Sequence, residues 1–134
     1  MDDIFVARLM SDGVVTVTPD TLVEDAANEL IDQEIGSLIV VDDDNHLEGI
    51  LTSTDFVCIV AESKPKAETT VERYMTDQVV TVEAQDTIRD AADKMITYGI
   101  HHLPVVDDES GVIGMLSTTD LTSYLSDVQQ PSPA

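Results

Sequence analysis

The sequence predicts a mixed α/β (α+β) fold made of two β-α-β-β-α units packed with pseudo-twofold symmetry. Three observations carry this. The first is internal duplication at an offset of 65 residues. Arg8-Leu9-Met10-Ser11-Asp12 returns as Arg73-Tyr74-Met75-Thr76-Asp77, and Val14-Val15-Thr16-Val17 returns as Val79-Val80-Thr81-Val82. Asp25-Ala26-Ala27 returns at Asp90, and Gly49-Ile50-Leu51-Thr52-Ser53-Thr54-Asp55 returns as Gly114-Met115-Leu116-Ser117-Thr118-Thr119-Asp120. From Val6 to Val57, 22 of 52 aligned positions are identical. The second is periodicity: short β-branched runs alternate with stretches of three- and four-residue apolar spacing. The third is length. A chain of 134 residues buries a real core as one compact domain, and two copies are too few for a solenoid. Two copies packed face to face leave paired clefts about the axis.

Each element follows from local chemistry. Ile4 to Met10 reads as a lead-in turn or short helix. Val14 to Val17 is a strand, ended by Pro19-Asp20. Thr21 and Glu24 form a capping box that opens a helix through Gln33, with Leu22, Ala26, Leu30 and Ile31 as its apolar stripe. Gly36 turns the chain. Leu38 to Val41 is a continuous apolar run, the mark of a strand covered on both faces. Asp42-Asp43-Asp44-Asn45 is a turn, and Leu47 to Leu51 the return strand. Thr52 or Ser53 starts a second helix to about Glu62. The second copy repeats the order as strand 79–82, helix 86–98, strands 102–106 and 112–116, and helix 118–127. This places domains at 1–62 and 71–128, a linker at 63–70 around Lys64-Pro65-Lys66, and a disordered tail at 129–134.

Charge narrows the function classes. There are 27 acidic residues against 6 basic ones, a net charge of −21. Such a surface repels nucleic acid and acidic membranes. No apolar run approaches the ~20 residues of a membrane helix, and the N-terminus is acidic where a signal peptide is basic. A soluble, cytoplasmic protein is expected. The acid excess fits either a basic partner or cation, or a proteome adapted to molar salt. The scatter of acids over both copies and the scarcity of lysine favour molar salt, and so a halophilic archaeal source. At ~1 M salt the Debye length is only ~3 Å, so local contacts decide whether an anionic ligand binds. The single cysteine, Cys58, excludes an intramolecular disulfide and is expected as a small buried helix residue.

The repeated Gly-x-x-(Thr/Ser)-x-Thr-Asp segment joins a strand to a helix in each copy. One reading is a capping box: Thr52 and Ser117 as N-caps, with Asp55 and Asp120 reaching back. That reading leaves Gly49, Gly114, Thr54 and Thr119 unexplained. The other reading is a nucleotide cleft, with helix amides and hydroxyls toward a phosphate and the carboxylate toward ribose hydroxyls. The residues alone leave the two balanced. A second signal is His101-His102 where the first copy has Gly36-Ser37. Adjacent strand residues face opposite sides, so the pair does not suit one metal ion. Each is either a hydrogen-bonded, half-exposed side chain or a phosphate contact. The acidic turns lack EF-hand spacing and read as solvated hairpin tips. No nucleophile–base set, Walker loop or His-Glu-x-x-His is present, so neither catalysis nor a metal is expected.

The unit resembles the CBS domain, and the duplication resembles a CBS pair, the Bateman module, here as a stand-alone protein. The likeness runs over about residues 6 to 127. It is carried by Val-Val-Thr-Val, Asp-Ala-Ala, Leu103-Pro104-Val105-Val106-Asp107 and the closing Gly-x-x-(Thr/Ser)-x-Thr-Asp. The resemblance implies two packed tandem units, dimerisation into a flat disc, and regulatory binding of AMP, ADP, ATP or S-adenosylmethionine. It implies no covalent cofactor, and an action on an unidentified protein effector. By the same resemblance Asp120 holds a ribose, Ser117 and Thr119 approach the phosphate, and His101 and His102 face it. Val15 and Ile35 sandwich the adenine, with Gly36 and Met115 beside them. A second cleft uses Asp55, Thr52, Thr54 and Ile50, with Val80 and Ile100 around the base. Gly36-Ser37 and Ile39 depart from the pattern in copy one, so the Asp120 cleft is expected to fill first. A ligand-free dimerisation scaffold is the alternative the family offers.

Overall fold

The structure, a computed structural model, describes residues 4–62 and 68–129. Most of the expected linker and tail lies outside the described residues. The elements are α1 (Val6–Leu9), β1 (Thr16–Val17), α2 (Val23–Gln33), β2 (Ser37–Val41), β3 (Leu47–Thr52) and α3 (Ser53–Ala61). After a 3₁₀ turn at Val71–Arg73 come α4 (Ile88–Tyr98), β4 (His102–Asp107), β5 (Gly111–Ser117) and α5 (Thr118–Gln129). The chain is therefore α/β; copy one carries the predicted order of elements, and copy two carries it without its opening strand.

The packing units do not coincide with the sequence repeats. The unit that holds Asp55 takes the described part of Val14–Val79 together with Glu109–Val112. The unit that holds Asp120 takes the described residues up to Gly13, then Val80–Asp108, then Ile113 onward. Each repeat thus lends its lead-in to the body of the other. Fully buried Val71 completes a core of Val17, Ala26, Leu38, Val40 and Leu51. Its counterpart Val6, equally buried, completes a core of Val82, Ala91, Met95, Leu103, Val105 and Leu116.

In the Asp55 unit the sheet order is β1-β2-β3. β1 runs parallel to β2, pairing Thr16 with Ile39 and Val17 with Val40. β3 returns antiparallel, with Ser37 opposite Thr52 and Ile39 opposite Ile50. Every residue of β2 is buried, as its unbroken apolar run requires. β4 and β5 form a two-stranded sheet, with β5 in the Asp120 unit from Ile113 onward. The expected strand 79–82 shrinks there to one parallel bridge, Val82 to Val105. The reason is Pro104, which stands where Ile39 stands in copy one and has no N–H to give a neighbouring strand.

Three local expectations are corrected. Thr21 does not cap α2: the helix starts at Val23 with no side-chain cap on Leu22. The Thr21 hydroxyl instead accepts the Thr18 N–H at 3.1 Å. In copy two Thr87 does cap, accepting the Asp90 N–H at 3.1 Å. Ile31 is 72% exposed, because Val23 and Ala26 define the buried stripe and Ile31 falls outside it. Cys58 is exposed, since α3 turns its neighbour Ile59 into the core instead.

The recurring glycine now has a structural cause. A Cβ on Gly114 would stand 2.7 Å from Met10 Sδ and 2.9 Å from the Ser11 carbonyl. A Cβ on Gly49 would meet Met75 Sδ at 2.7 Å and the Thr76 carbonyl at 2.8 Å. These are the borrowed lead-ins, held by the backbone bridges Ser11–Met115 and Ile50–Thr76. A methionine end can swing aside, but the carbonyls are fixed by hydrogen bonds of 2.9 Å in each direction. Gly114→Ala and Gly49→Ala are each expected to cost about 1–3 kcal/mol of unfolding free energy in urea titrations.

Candidate functional site

The turn into α5 gathers the chemistry. Asp120 Oδ2 accepts the Ser117 N–H at 2.8 Å, and Ser117 Oγ accepts the Asp120 N–H at 3.1 Å. The capping box is thus complete. Thr118 N–H donates to the His101 carbonyl at 3.0 Å, tying the start of β4 to the start of α5. Imidazoles, hydroxyls and a carboxylate are brought into one region by these three bonds. They also alter the anion-binding expectation, which relied on open amides. Among the described residues, only Thr119 N–H is left without a partner in this first turn. Any phosphate here has one free amide, the exposed Thr119 hydroxyl beside it, and the histidines.

Asp120 spends one oxygen on the cap. Oδ1 makes no hydrogen bond among the described residues. A carboxylate oxygen carries two lone pairs, so Oδ1 suffices for a pair of vicinal hydroxyls. Asp120 therefore serves as a cap while keeping an acceptor free.

The copy-one turn is a close replica without the imidazoles. Asp55 Oδ2 accepts the Thr52 N–H at 2.8 Å, and a capping box forms. Ser53 N–H and Oγ both donate to the Gly36 carbonyl, at 3.2 and 3.3 Å. Thr54 is exposed, like Thr119. Gly36 supplies the carbonyl that His101 supplies in copy two, but no side chain. Of the apolar candidates, Val80 and Ile100 lie in the Asp120 unit, packed against its core. Val15 and Ile35 do the same in the Asp55 unit, which also holds Gly36. Met115 and Ile50 are the strand residues that bridge the lead-ins.

His101 is exposed and His102 half-buried, as the strand alternation requires. Burial holds the His102 imidazole below the ordinary histidine value of 6.5; His101 adds to this and Asp120 opposes it. The unfolded chain therefore protonates first as pH falls. The contribution to stability is complete above pH 6.5 and is lost as pH falls through the folded value. Unfolding free energy is expected to decline on acidification below 6.5, and His102→Asn to flatten that window. A profile unchanged by the substitution would count against this.

One basic residue was not singled out from sequence. Lys94 Nζ donates to the Thr81 carbonyl at 2.8 Å, beside Val80. Its copy-one counterpart is Glu29, and that reversal of sign between aligned positions was the signal available. An open depression of about 430 Å³ runs along α5, lined by Thr118, Thr119, Thr122, Ser123 and Ser126. Its lining is serine and threonine alone, with no large apolar side chain to stack on an adenine ring. None of the described helices is long and apolar enough to cross a membrane.

The model of the CBS domain matches residues 6–62 and again residues 71–127. The chain belongs to the CBS domain family and carries two copies of the domain. It is 34% identical over 123 residues to an uncharacterised 17.7 kDa protein of Acidianus ambivalens, covering 92% of this chain and 74% of that protein. It is also 34% identical to homoserine O-acetyltransferase of Methanosalsum zhilinae, covering 93% of this chain but only 25% of that protein. The chain thus spans about a quarter of that relative's length. Among solved structures it is similar to the CBS domain pair of protein MJ0100 in complex with 5′-methylthioadenosine and S-adenosyl-L-methionine. The TM-score there is 0.88 at 29% identity, covering 96% of this chain and all of the other. CBSX2 in complex with AMP matches with a TM-score of 0.83 at 26% identity, covering 94% of this chain and 98% of that one.

Proposed function

We propose that this CBS pair is a regulatory module that binds an adenosine compound and passes occupancy to a protein partner. The observation that carries the reading is Asp120, whose Oδ1 is left open while Oδ2 holds the turn that carries Ser117, Thr119 and the His101 carbonyl. Oδ1 accepts the ribose hydroxyls. Ser117, Thr119 with its free amide, and His101 and His102 meet the phosphate or its replacement. The apolar side chains of this unit, Val80 and Ile100, hold the base beside Met115, in place of the Val15, Ile35 and Gly36 that the sequence suggests for this cleft, which lie in the Asp55 unit. The adenosine ligands of the MJ0100 pair and of CBSX2 support the ligand class. The Asp55 turn, with Thr52, Thr54, Ile50, Val15, Ile35 and Gly36, binds more weakly because Gly36 brings no imidazole. A ligand shifts the module's conformation only by its differential affinity for two states.

The test is thermal unfolding with AMP, ADP, ATP, S-adenosylmethionine, 5′-methylthioadenosine and NAD in turn. A ligand at ~100 times its dissociation constant adds ~2.7 kcal/mol. No shift with any compound favours the ligand-free scaffold. Assembly as a homodimer in the cytoplasm is part of the same proposal, and sedimentation of the free protein checks the dimer.

We further propose that the acid excess is an adaptation to molar salt. The net charge of −21 supports it: self-repulsion at low ionic strength opposes the compact state. The midpoint of thermal unfolding is expected to rise continuously from ~0.1 to ~2 M KCl, well past the range in which simple screening saturates. A plateau near 0.5 M would point instead to a basic partner.

A further inference from the structure

The turn between β2 and β3 holds a second cluster that the nucleotide reading does not use. One ligand atom each from Asp42, Asp44 and His46 lies within 4.8 Å of the others. Asp42 is oriented by its own turn: Oδ1 accepts the Asp44 N–H at 2.9 Å and the His46 N–H at 2.8 Å. That leaves Oδ2 directed at His46 Nδ1, 3.4 Å away. The separation is that of an ion pair when the imidazole is protonated, and is long for a hydrogen bond. It matches a chelate, since two ligands at about 2.1 Å from a zinc-class cation, set at the tetrahedral angle, stand about 3.4 Å apart.

The turn is also anchored from beneath. Asn45 Nδ2 donates to the Ser110 carbonyl at 2.8 Å and to the Val112 carbonyl at 2.7 Å. Backbone hydrogen bonds to one carboxylate oxygen and a fixed turn are the kind of outer support that orients metal ligands. The aligned turn of copy two has Gly111 where copy one has His46, so the ligand set occurs once.

We infer that Asp42, Asp44 and His46 hold one divalent transition-metal cation of the zinc class, with water completing the coordination. The imidazole sets this apart from acidic turns that merely gather calcium or magnesium, which prefer oxygen ligands throughout. The site is independent of the adenosine reading.

The experiment titrates the full chain with Zn²⁺ by calorimetry and with Co²⁺ by visible absorption. It is done in about 0.15 M KCl with excess Mg²⁺, so that diffuse attraction to the acidic surface is screened. One equivalent is expected to bind, with the intense bands of tetrahedral Co²⁺. His46→Ala and Asp44→Ala are each expected to weaken it at least tenfold, whereas a chain carrying both His101→Ala and His102→Ala retains it. His46 and Asp44 are exposed, so neither change disturbs the fold, which circular dichroism checks. Binding retained in His46→Ala, lost in the double histidine variant, or abolished by Mg²⁺ would overturn the inference, as would no binding at all.

Discussion

Gly111→Ala is expected to lower the unfolding free energy by about 3 kcal/mol, the largest loss from any single added methyl in this chain. Two penalties coincide there. The backbone sits at φ +77°, where an L side chain crowds its own carbonyl. The new Cβ would also fall on the Asn45 carbonyl oxygen and come within 2.7 Å of its carbon. Asn45 has no freedom to retreat. Its carbonyl accepts the Val112 N–H at 3.0 Å, and its amide donates to the carbonyls of Ser110 and Val112. Asn45 is itself at φ +67°, a conformation this clamp maintains. Gly99→Ala separates the two penalties. Gly99 ends α4 at φ +63° with nothing within 4 Å of an added Cβ, so its replacement costs only the conformational part, about 1 kcal/mol. Equal losses for the two variants in urea unfolding would mean that the approach of Asn45 to Gly111 contributes nothing.

Asp120→Asn is expected to leave the ligand-free protein within about 0.5 kcal/mol of the parent while removing the stabilisation given by an adenosine ligand. Asparagine keeps an oxygen for the Ser117 N–H, so the turn stays capped. It replaces the second carboxylate oxygen with an amide that cannot accept from ribose hydroxyls. Asp120→Ala removes both roles and costs about 1 kcal/mol without ligand, the ordinary loss of a cap. The alanine variant alone cannot tell a cap from a site, because the cap is present either way. A parent protein stabilised by AMP or S-adenosylmethionine and an Asp120→Asn protein stabilised equally would remove Asp120 from the site. The corresponding Asp55→Asn is expected to cost less ligand stabilisation, since Gly36 stands where the imidazoles of copy two begin.

Much of the fold was legible from residues alone. The duplication, the buried apolar run of β2 and the caps at Thr52 and Ser117 are local signals, and each produced its element. Misread elements were those whose outcome depends on a neighbour. Thr21 looked like a cap but is occupied by Thr18, and strand 79–82 lost its ladder because its partner is Pro104. Ile31 and Cys58 are apolar or small, yet only the orientation of their helices decides that they face outward.

For the candidate site, sequence alone determined the residue types: a carboxylate and hydroxyls at matched positions of both copies and a histidine pair in the second, within a family whose model covers both copies. Tertiary structure alone decided three matters. It joined each lead-in to the opposite repeat, which makes Gly49 and Gly114 packing residues. It closed the Thr118 amide on the His101 carbonyl, which, with two amides taken by the local capping box, reduces the expected anion nest to Thr119. It brought Asp42, Asp44 and His46 within reach of one cation. The physical reason is common to all three. A sequence records which groups are near along the chain, whereas a donor's partner, a glycine's neighbour and a chelate's bite are set by distances that exist only after the chain has packed.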